Sequence, residues 1–73
     1  MANMAEVNKS IKANCPNLDI EAVRGEGYVY FSSENHTIDS VFAHPVTTST
    51  SSMIDLVLEQ IQEYISKNNI QPY

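Results

Sequence analysis

The chain lacks tryptophan and has one cysteine, two glycines and four basic residues among its 73 positions. The single thiol, Cys15, cannot form an internal disulfide or complete a tetrahedral zinc site. Both glycines fall within residues 24–27, so there is no glycine-rich loop of the kind that cradles phosphates or a dinucleotide. No apolar run approaches the roughly 18 residues of a membrane-spanning helix. These absences exclude several classes of function before any motif is considered.

The amino-terminal residues show no targeting signal. Residues 1–6 lack the basic start followed by an apolar stretch that marks a secretory signal peptide. We therefore expect a cytoplasmic protein.

Charge of one sign dominates the composition. Nine acidic residues against four basic ones give a net charge of −5 and an isoelectric point near 4.6. Binding to nucleic acid or to an anionic membrane needs a basic surface, so neither is expected as a direct partner.

The composition predicts one small domain over residues 1–73. The chain is 42% hydrophobic and 18% charged, which argues against disorder. A chain of this length buries about 60% of the surface that its unfolded form exposes, and its core supplies about 3–5 kcal/mol.

Two helices are predicted, over residues 3–14 and 53–67. Asn3 is the expected N-cap of the first helix, and Ser52 with Asp55 forms a capping pattern for the second. Apolar residues recur at helical spacing in both segments. Residues 70–73 are predicted to be a tail.

Three strands are predicted, over residues 18–24, 28–32 and 38–44. Apolar and polar residues alternate in the first, and the second is rich in aromatic and β-branched side chains. The third resumes an extended pattern up to Pro45. The glycines of residues 24–27 supply a hairpin turn between the first two strands.

The order of these elements predicts an α+β fold, α-β-β-β-α, in which a three-stranded antiparallel sheet carries both helices on one face. The expected core side chains from the sheet are Ile20, Val29, Phe31, Val41 and Ala43. Those from the helices are Val7, Ile11, Ile54, Val57, Leu58 and Ile61.

Residues 23–31 read V-R-G-E-G-Y-V-Y-F. This stretch resembles a hairpin of small phage and prophage proteins, with the pattern V-[KR]-G-E-G-Y-x-Y-F ahead of a short strand and an acidic C-terminal helix. The resemblance implies a phage-type accessory protein, and proteins of that class often bind and block a host machine, including CRISPR effectors. It carries over no individual functional residue.

The sheet face turned away from the helices is predicted to carry an aromatic surface. Alternation assigns to this face Tyr28, Tyr30, Phe42, His44, Asp19 and Glu21. Aromatic side chains are enriched in the cores of protein interfaces, so this surface is a candidate for binding another protein or a second copy. Cross-strand pairing that only stabilises the sheet is the alternative. The carboxylates disfavour stacking on nucleic-acid bases.

An acidic row is predicted on the second helix, where Asp55, Glu59 and Glu63 fall at i, i+4 and i+8. Each step rises about 6 Å, close to the spacing of successive phosphates along a nucleic-acid strand. Such a row can imitate a phosphate backbone and occupy a basic channel. The alternative is an ordinary solvated helix face.

No side chains form a recognisable catalytic or metal-binding pattern. His36 and His44 match no triad or ligand spacing, and Cys15 has no histidine near it in sequence. We expect no enzyme activity, no cofactor and no bound metal. The hydroxyl-rich residues 47–52 precede a helix, whose N-terminus favours anions, so a nucleotide or small-anion sponge stays open as an alternative to a simple connector.

Together these features predict a small acidic interaction protein. We expect a phage-type, anti-CRISPR-like inhibitor that binds a host nucleic-acid-handling protein and blocks its basic surface. The acidic row would speed the encounter, and the aromatic surface would slow release. A homodimeric module, in which the acidic residues serve solubility only, is the alternative.

Overall fold

Two helices and a two-stranded antiparallel sheet make up the fold. The computed structural model describes residues 2–70. Helix α1 spans Met4–Asn14, strand β1 Glu21–Arg24, strand β2 Val29–Ser32 and helix α2 Thr50–Asn68. Within the described part of the chain, no helix combines the length and the hydropathy needed to cross a membrane.

Helix α1 is capped by the residue that the sequence suggests. The Asn3 side chain accepts hydrogen bonds from the backbone N–H groups of Ala5 and Glu6, at 3.1 and 3.3 Å. Val7 and Ile11, one helical turn apart, are buried. The cap and the apolar stripe therefore act together to orient α1 toward the core.

Helix α2 begins three residues earlier than predicted. Its N-cap is Ser49, whose hydroxyl accepts a hydrogen bond from the Ser52 backbone N–H at 3.2 Å. Residues 50–52 therefore form the first helical turn and not a connector. Met53 consequently lies inside the helix, four residues before Val57, and both are fully buried.

The prediction of a three-stranded sheet is wrong. Strands β1 and β2 pair over four residues each. The predicted third strand, residues 38–44, contributes only an isolated bridge, in which Val41 exchanges two backbone hydrogen bonds of 2.8 and 2.9 Å with Val29.

The burial of Ile38 and Val41 explains why the third strand does not form. The exposed fractions of these side chains are 8% and 7%. Residues three apart point to opposite faces of a regular strand, so a regular strand could not direct both side chains into the one core that they share. The chain has to turn between them, and it meets β2 only at Val41.

Helix α1 reaches the edge of the sheet. The Asn8 side-chain amide donates to the Ala22 carbonyl at 3.0 Å, and its oxygen accepts from the Ala22 N–H at 2.7 Å. Backbone N–H and C=O groups lie in the plane of a sheet, so a side chain that pairs with both approaches from the edge. Helix α1 therefore covers the exposed edge of β1, while its buried side chains Val7 and Ile11 join the same core as those of α2.

Both helices and the sheet contribute to one apolar core. Its buried members are Ala2, Val7, Ile11, Cys15, Ile20, Ala22, Val29, Ile38, Val41, Met53, Val57 and Ile61. Four side chains predicted as core are only half-buried at its rim, namely Phe31, Ala43, Ile54 and Leu58. Of the predicted tail, residues 71–73 lie outside the described residues.

Candidate protein-docking site

The hairpin turn between β1 and β2 orients Tyr28. Gly27 has a φ of +79°, a conformation that side chains with a Cβ rarely adopt. Gly25 is needed for a different reason, since a Cβ at that position would lie 2.7 Å from the Tyr28 ring. The two glycines thus let the chain reverse and let the tyrosine ring pack against the turn.

Three of the predicted aromatic side chains come together. The ring centroid of Tyr28 lies 6.1 Å from that of Tyr30 and 6.4 Å from that of Phe42, with tilted planes. Phe42 is 87% exposed and Tyr30 is 40% exposed. A phenylalanine that is almost entirely in solvent contributes little to the core, so this aromatic cluster is available for contact with another molecule.

His44, Asp19 and Glu21 are the other residues assigned to the aromatic surface. The exposed His44 accepts a hydrogen bond at Nδ1 from the Val46 backbone N–H at 3.2 Å, and its ring lies near Gly27. Asp19 precedes β1 and binds the loop after β2. Asp19 also lines a hollow with Glu21, Ser32 and Glu34, so the two carboxylates assigned to this surface lie close together.

The Asp19 carboxylate anchors the loop at residues 33–36. It accepts hydrogen bonds from the Glu34 backbone N–H at 3.0 Å and from the Ser33 hydroxyl at 2.9 Å. These two bonds lower the pKa of the Asp19 carboxyl, and the bond from the Glu34 backbone N–H has the larger effect. The Ser33 hydroxyl in turn accepts from the backbone N–H of His36 at 3.1 Å.

The lowered pKa of Asp19 predicts an acid-sensitive loop. The anchoring interaction is present above the ordinary aspartate pKa of about 3.9 and is lost as the pH falls through the lower pKa of the folded protein. We expect the Glu34 amide proton shift to titrate with a midpoint below about 3.9. The measurement is an NMR pH titration in a Glu34→Gln background, which removes the carboxyl of Glu34 itself. Adding Asp19→Asn should abolish the titration, and its persistence would contradict the assignment.

A groove between the chain at residues 40–43 and helix α2 joins the aromatic cluster to the acidic row. We call it the Phe42 groove. It has a volume of about 320 Å³, and its walls include Ser40, Phe42, Ala43, Leu56, Glu59 and Glu63. Leu56 is 39% exposed. An exposed aromatic ring, an exposed leucine and two carboxylates therefore line one concave surface.

A second hollow continues from the Phe42 groove along α2. We call it the Tyr64 hollow. Its volume is about 280 Å³, its walls include Asp39, Tyr64 and Lys67, and it shares Gln60 and Glu63 with the groove. Asp39 and Glu63 thus add carboxylates to the same surface, and Lys67 supplies a cation at its far end.

Apart from Lys67, the charged lysine, arginine, aspartate and glutamate side chains of these surfaces are all acidic. Residues 26–66 contain no lysine or arginine. Their acidic residues are Glu26, Glu34, Asp39, Asp55, Glu59 and Glu63. A surface built from this segment attracts cationic groups over about 8–10 Å at physiological ionic strength.

Only two of the three residues of the acidic row line the Phe42 groove. Asp55, Glu59 and Glu63 are all exposed on α2. Glu59 and Glu63 line the Phe42 groove, whereas Asp55 is not among the groove residues. Leu56 and Asp39 are the site residues that the sequence did not single out. Leu56 could have been found, because it falls off the buried stripe of α2 and so has to face outward.

The histidines and the cysteine have separate surroundings. His36 Nδ1 lies 3.2 Å from the Tyr64 hydroxyl, with the two rings edge to face at 5.7 Å. Cys15 is buried, and burial raises the pKa of its thiol. Among residues 2–70, no three His, Cys, Asp or Glu side chains are grouped so that they could hold a metal ion.

Hydroxyl groups of the hydroxyl-rich residues 47–52 form hydrogen bonds within the chain. The Ser49 hydroxyl caps α2, and the Thr50 hydroxyl accepts from the Asn3 backbone N–H at 2.9 Å. The Ala2 N–H donates to the Pro45 carbonyl at 2.7 Å. These bonds tie the beginning of α1 to the beginning of α2, and they give the Ser49 and Thr50 hydroxyls internal partners.

Comparison with known proteins finds no matching family model, no matching curated protein and no matching solved structure.

Proposed function

We propose that this protein is a small acidic inhibitor of the phage type, which binds a host nucleic-acid-handling protein and covers its basic surface. The observation that carries the proposal is the Phe42 groove, where Phe42 and Leu56 lie beside Glu59 and Glu63. Protein interfaces draw affinity from a few apolar or aromatic anchors and orientation from complementary charge. This groove supplies both kinds of contact on one surface.

The negative charge of this surface favours a basic partner. Residues 26–66 contain no lysine or arginine, so an anionic partner would be repelled and a basic one steered toward the groove. Surfaces that bind nucleic acid are basic because they neutralise phosphates. A protein bound over such a surface competes directly with nucleic acid, and its association should weaken as salt is added.

Self-association is the second candidate, because Tyr30 and Phe42 expose aromatic surface that a second copy could cover. A symmetric dimer applies the same patch from both chains. If that patch included the Phe42 groove, Glu59 and Glu63 of the two copies would approach one another, which is unfavourable. A dimer is therefore compatible with the aromatic cluster but not with the groove as its interface.

The test begins with capture of a partner and ends with a competition measurement. Immobilised wild-type protein is exposed to a nuclease-treated bacterial lysate, and the retained proteins are identified by mass spectrometry. The affinity of a purified retained protein for nucleic acid is then measured with and without the inhibitor. We expect competition, and we expect Phe42→Ala to weaken it about 30-fold, the equivalent of about 2 kcal/mol at an interface anchor.

The matched control is Val46→Ala, because Val46 is also exposed, at 48%, and is not a groove residue. It should compete like the wild type. Equal effects of Phe42→Ala and Val46→Ala would overturn the assignment to the groove. Retained proteins that keep their full nucleic-acid affinity would overturn the inhibitor function. Sedimentation as a dimer that Phe42→Ala dissociates would favour self-association.

A further inference from the structure

The outer side of the chain at Ser40–Phe42 carries backbone groups without a partner in the described residues. Val41 directs both its N–H and its C=O to Val29. In an extended chain, the residues on either side of such a residue direct their N–H and C=O groups the opposite way. Ser40 and Phe42 therefore present theirs away from β2, and within residues 2–70 neither makes a backbone hydrogen bond.

The Phe42 groove lies beside these free backbone groups. Ser40, Phe42 and Ala43 form one wall, and α2 forms the other. The groove holds about 320 Å³, which suits a few side chains but not a helix about 10 Å across. A strand needs only about 4.8 Å beside its neighbour. The shape and the unpaired backbone both favour an extended occupant.

The Tyr64 hollow sets the side-chain chemistry of such an occupant. Asp39 and Glu63 both line it, and Lys67 lies at its far end, so two carboxylates against one ammonium leave the hollow with a net negative charge. A guanidinium pairs with carboxylates through a planar fork of donors that a lysine lacks. On α2, the midpoint of the residues that line the groove lies about five positions before the midpoint of those that line the hollow. Five positions along a helix correspond to about 7 Å. Residues i and i+2 of a strand are separated by a similar distance, about 6.6 Å.

We propose that the surface takes an extended basic segment of the partner protein, added as a strand along residues 40–42. An apolar side chain of the segment lies between Phe42 and Leu56, and an arginine two residues away lies at Asp39 and Glu63. Main-chain hydrogen bonds then provide affinity, and the two hollows provide specificity, as in other cases of strand addition. This inference rests on the proposed function and specifies how the partner is recognised.

The test uses a fluorescent ten-residue peptide, Val-Thr-Arg-Thr-Val-Thr-Arg-Thr-Val-Thr, in which valine and arginine lie two residues apart on one strand face, and its binding to the intact protein is followed by anisotropy. Two derivatives carry backbone N-methyl groups, one on every threonine and the other on every valine and arginine. Each derivative blocks the donors on one edge of the strand only. We expect one derivative to bind about tenfold more weakly and the other to bind like the parent, because a single edge pairs with residues 40–42.

Variants of the protein test whether the peptide binds at the Tyr64 hollow. Glu63→Gln should weaken binding about fivefold, in the range of a partly exposed charge pair, whereas Glu6→Gln, with the same change in net charge, should not. Equal affinity of both methylated peptides with the parent, or equal effects of the two glutamate variants, would overturn strand addition. Competition by the whole protein would then still support the inhibitor function. Edge-specific peptide binding without competition would support strand addition and overturn the inhibitor function.

Discussion

Replacing Asn8 with alanine is expected to lower the free energy of unfolding by about 2–4 kcal/mol. The Asn8 side chain satisfies both the N–H and the C=O of Ala22, and Ala22 is only 2% exposed. Each buried backbone group left without a partner costs about 1–3 kcal/mol. Since a chain of this size is stable by only about 3–5 kcal/mol, the variant should lose a large part of its stability, and its unfolding midpoint in urea should fall accordingly.

Urea denaturation followed by circular dichroism measures this effect. Asn14→Ala is the control, because Asn14 lies on the same helix and its side chain donates to the exposed Ser10 carbonyl at 2.8 Å. Both substitutions replace asparagine with a better helix former, so that contribution is similar in the two variants. We expect Asn14→Ala to change stability by less than about 0.5 kcal/mol. A comparably small change for Asn8→Ala would mean that the edge of β1 does not depend on this amide.

The second large effect is expected for Ile61→Ala, at about 2–5 kcal/mol. Ile61 is fully buried on α2, one turn after the fully buried Val57. Truncating it removes apolar contact and leaves a cavity, which surrounding side chains fill only in part. In so small a domain, a loss of this size should lower the midpoint of thermal unfolding by about 8 °C or more.

Leu56→Ala is the matched control for Ile61→Ala, since it truncates a branched aliphatic residue of the same helix. Leu56 is 39% exposed and lines the Phe42 groove. Its removal should cost less than about 1 kcal/mol of stability while weakening partner binding. Thermal unfolding of the two variants separates the core face of α2 from the groove face. Similar losses of stability in both would contradict that division.

Elements governed by local interactions could be predicted from the sequence. The Asn3 cap and the apolar stripe of α1 are set by residues within one or two turns of each other. The hairpin depends on two glycines and on strands that follow directly. In each of these elements, the residues that specify the structure are neighbours along the chain.

Predictions that depended on distant contacts were less successful. Alternation over residues 38–44 is a valid strand pattern, but the burial of Ile38 and Val41 together prevents a continuous ladder. The side chain of Asn8 pairs with Ala22, 14 positions away, and periodicity gives no sign of such a bond. The start of α2 was missed because Ser52 with Asp55 has the acidic capping pattern, whereas Ser49, the observed N-cap, has no acidic residue three positions on.

The candidate site shows the same division. The aromatic residues and the acidic row could each be predicted from spacing, because alternation and helical periodicity are properties of single elements. Their association in the Phe42 groove could not, since it requires Phe42 to lie beside Glu59 and Glu63 on α2. Asp39 and Leu56 joined the site for the same reason.

The sequence by itself determined the acidity, the α+β composition, the N-cap of α1 and the hairpin, because composition and local periodicity are sufficient for each. Only the tertiary structure decided that the sheet has two strands, that α1 covers the edge of β1, and that one groove combines apolar and acidic side chains. The physical reason is that burial and hydrogen-bond satisfaction are shared among elements distant in sequence. The structure that a local pattern predicts forms only where it leaves no core side chain exposed and no buried polar group without a hydrogen bond.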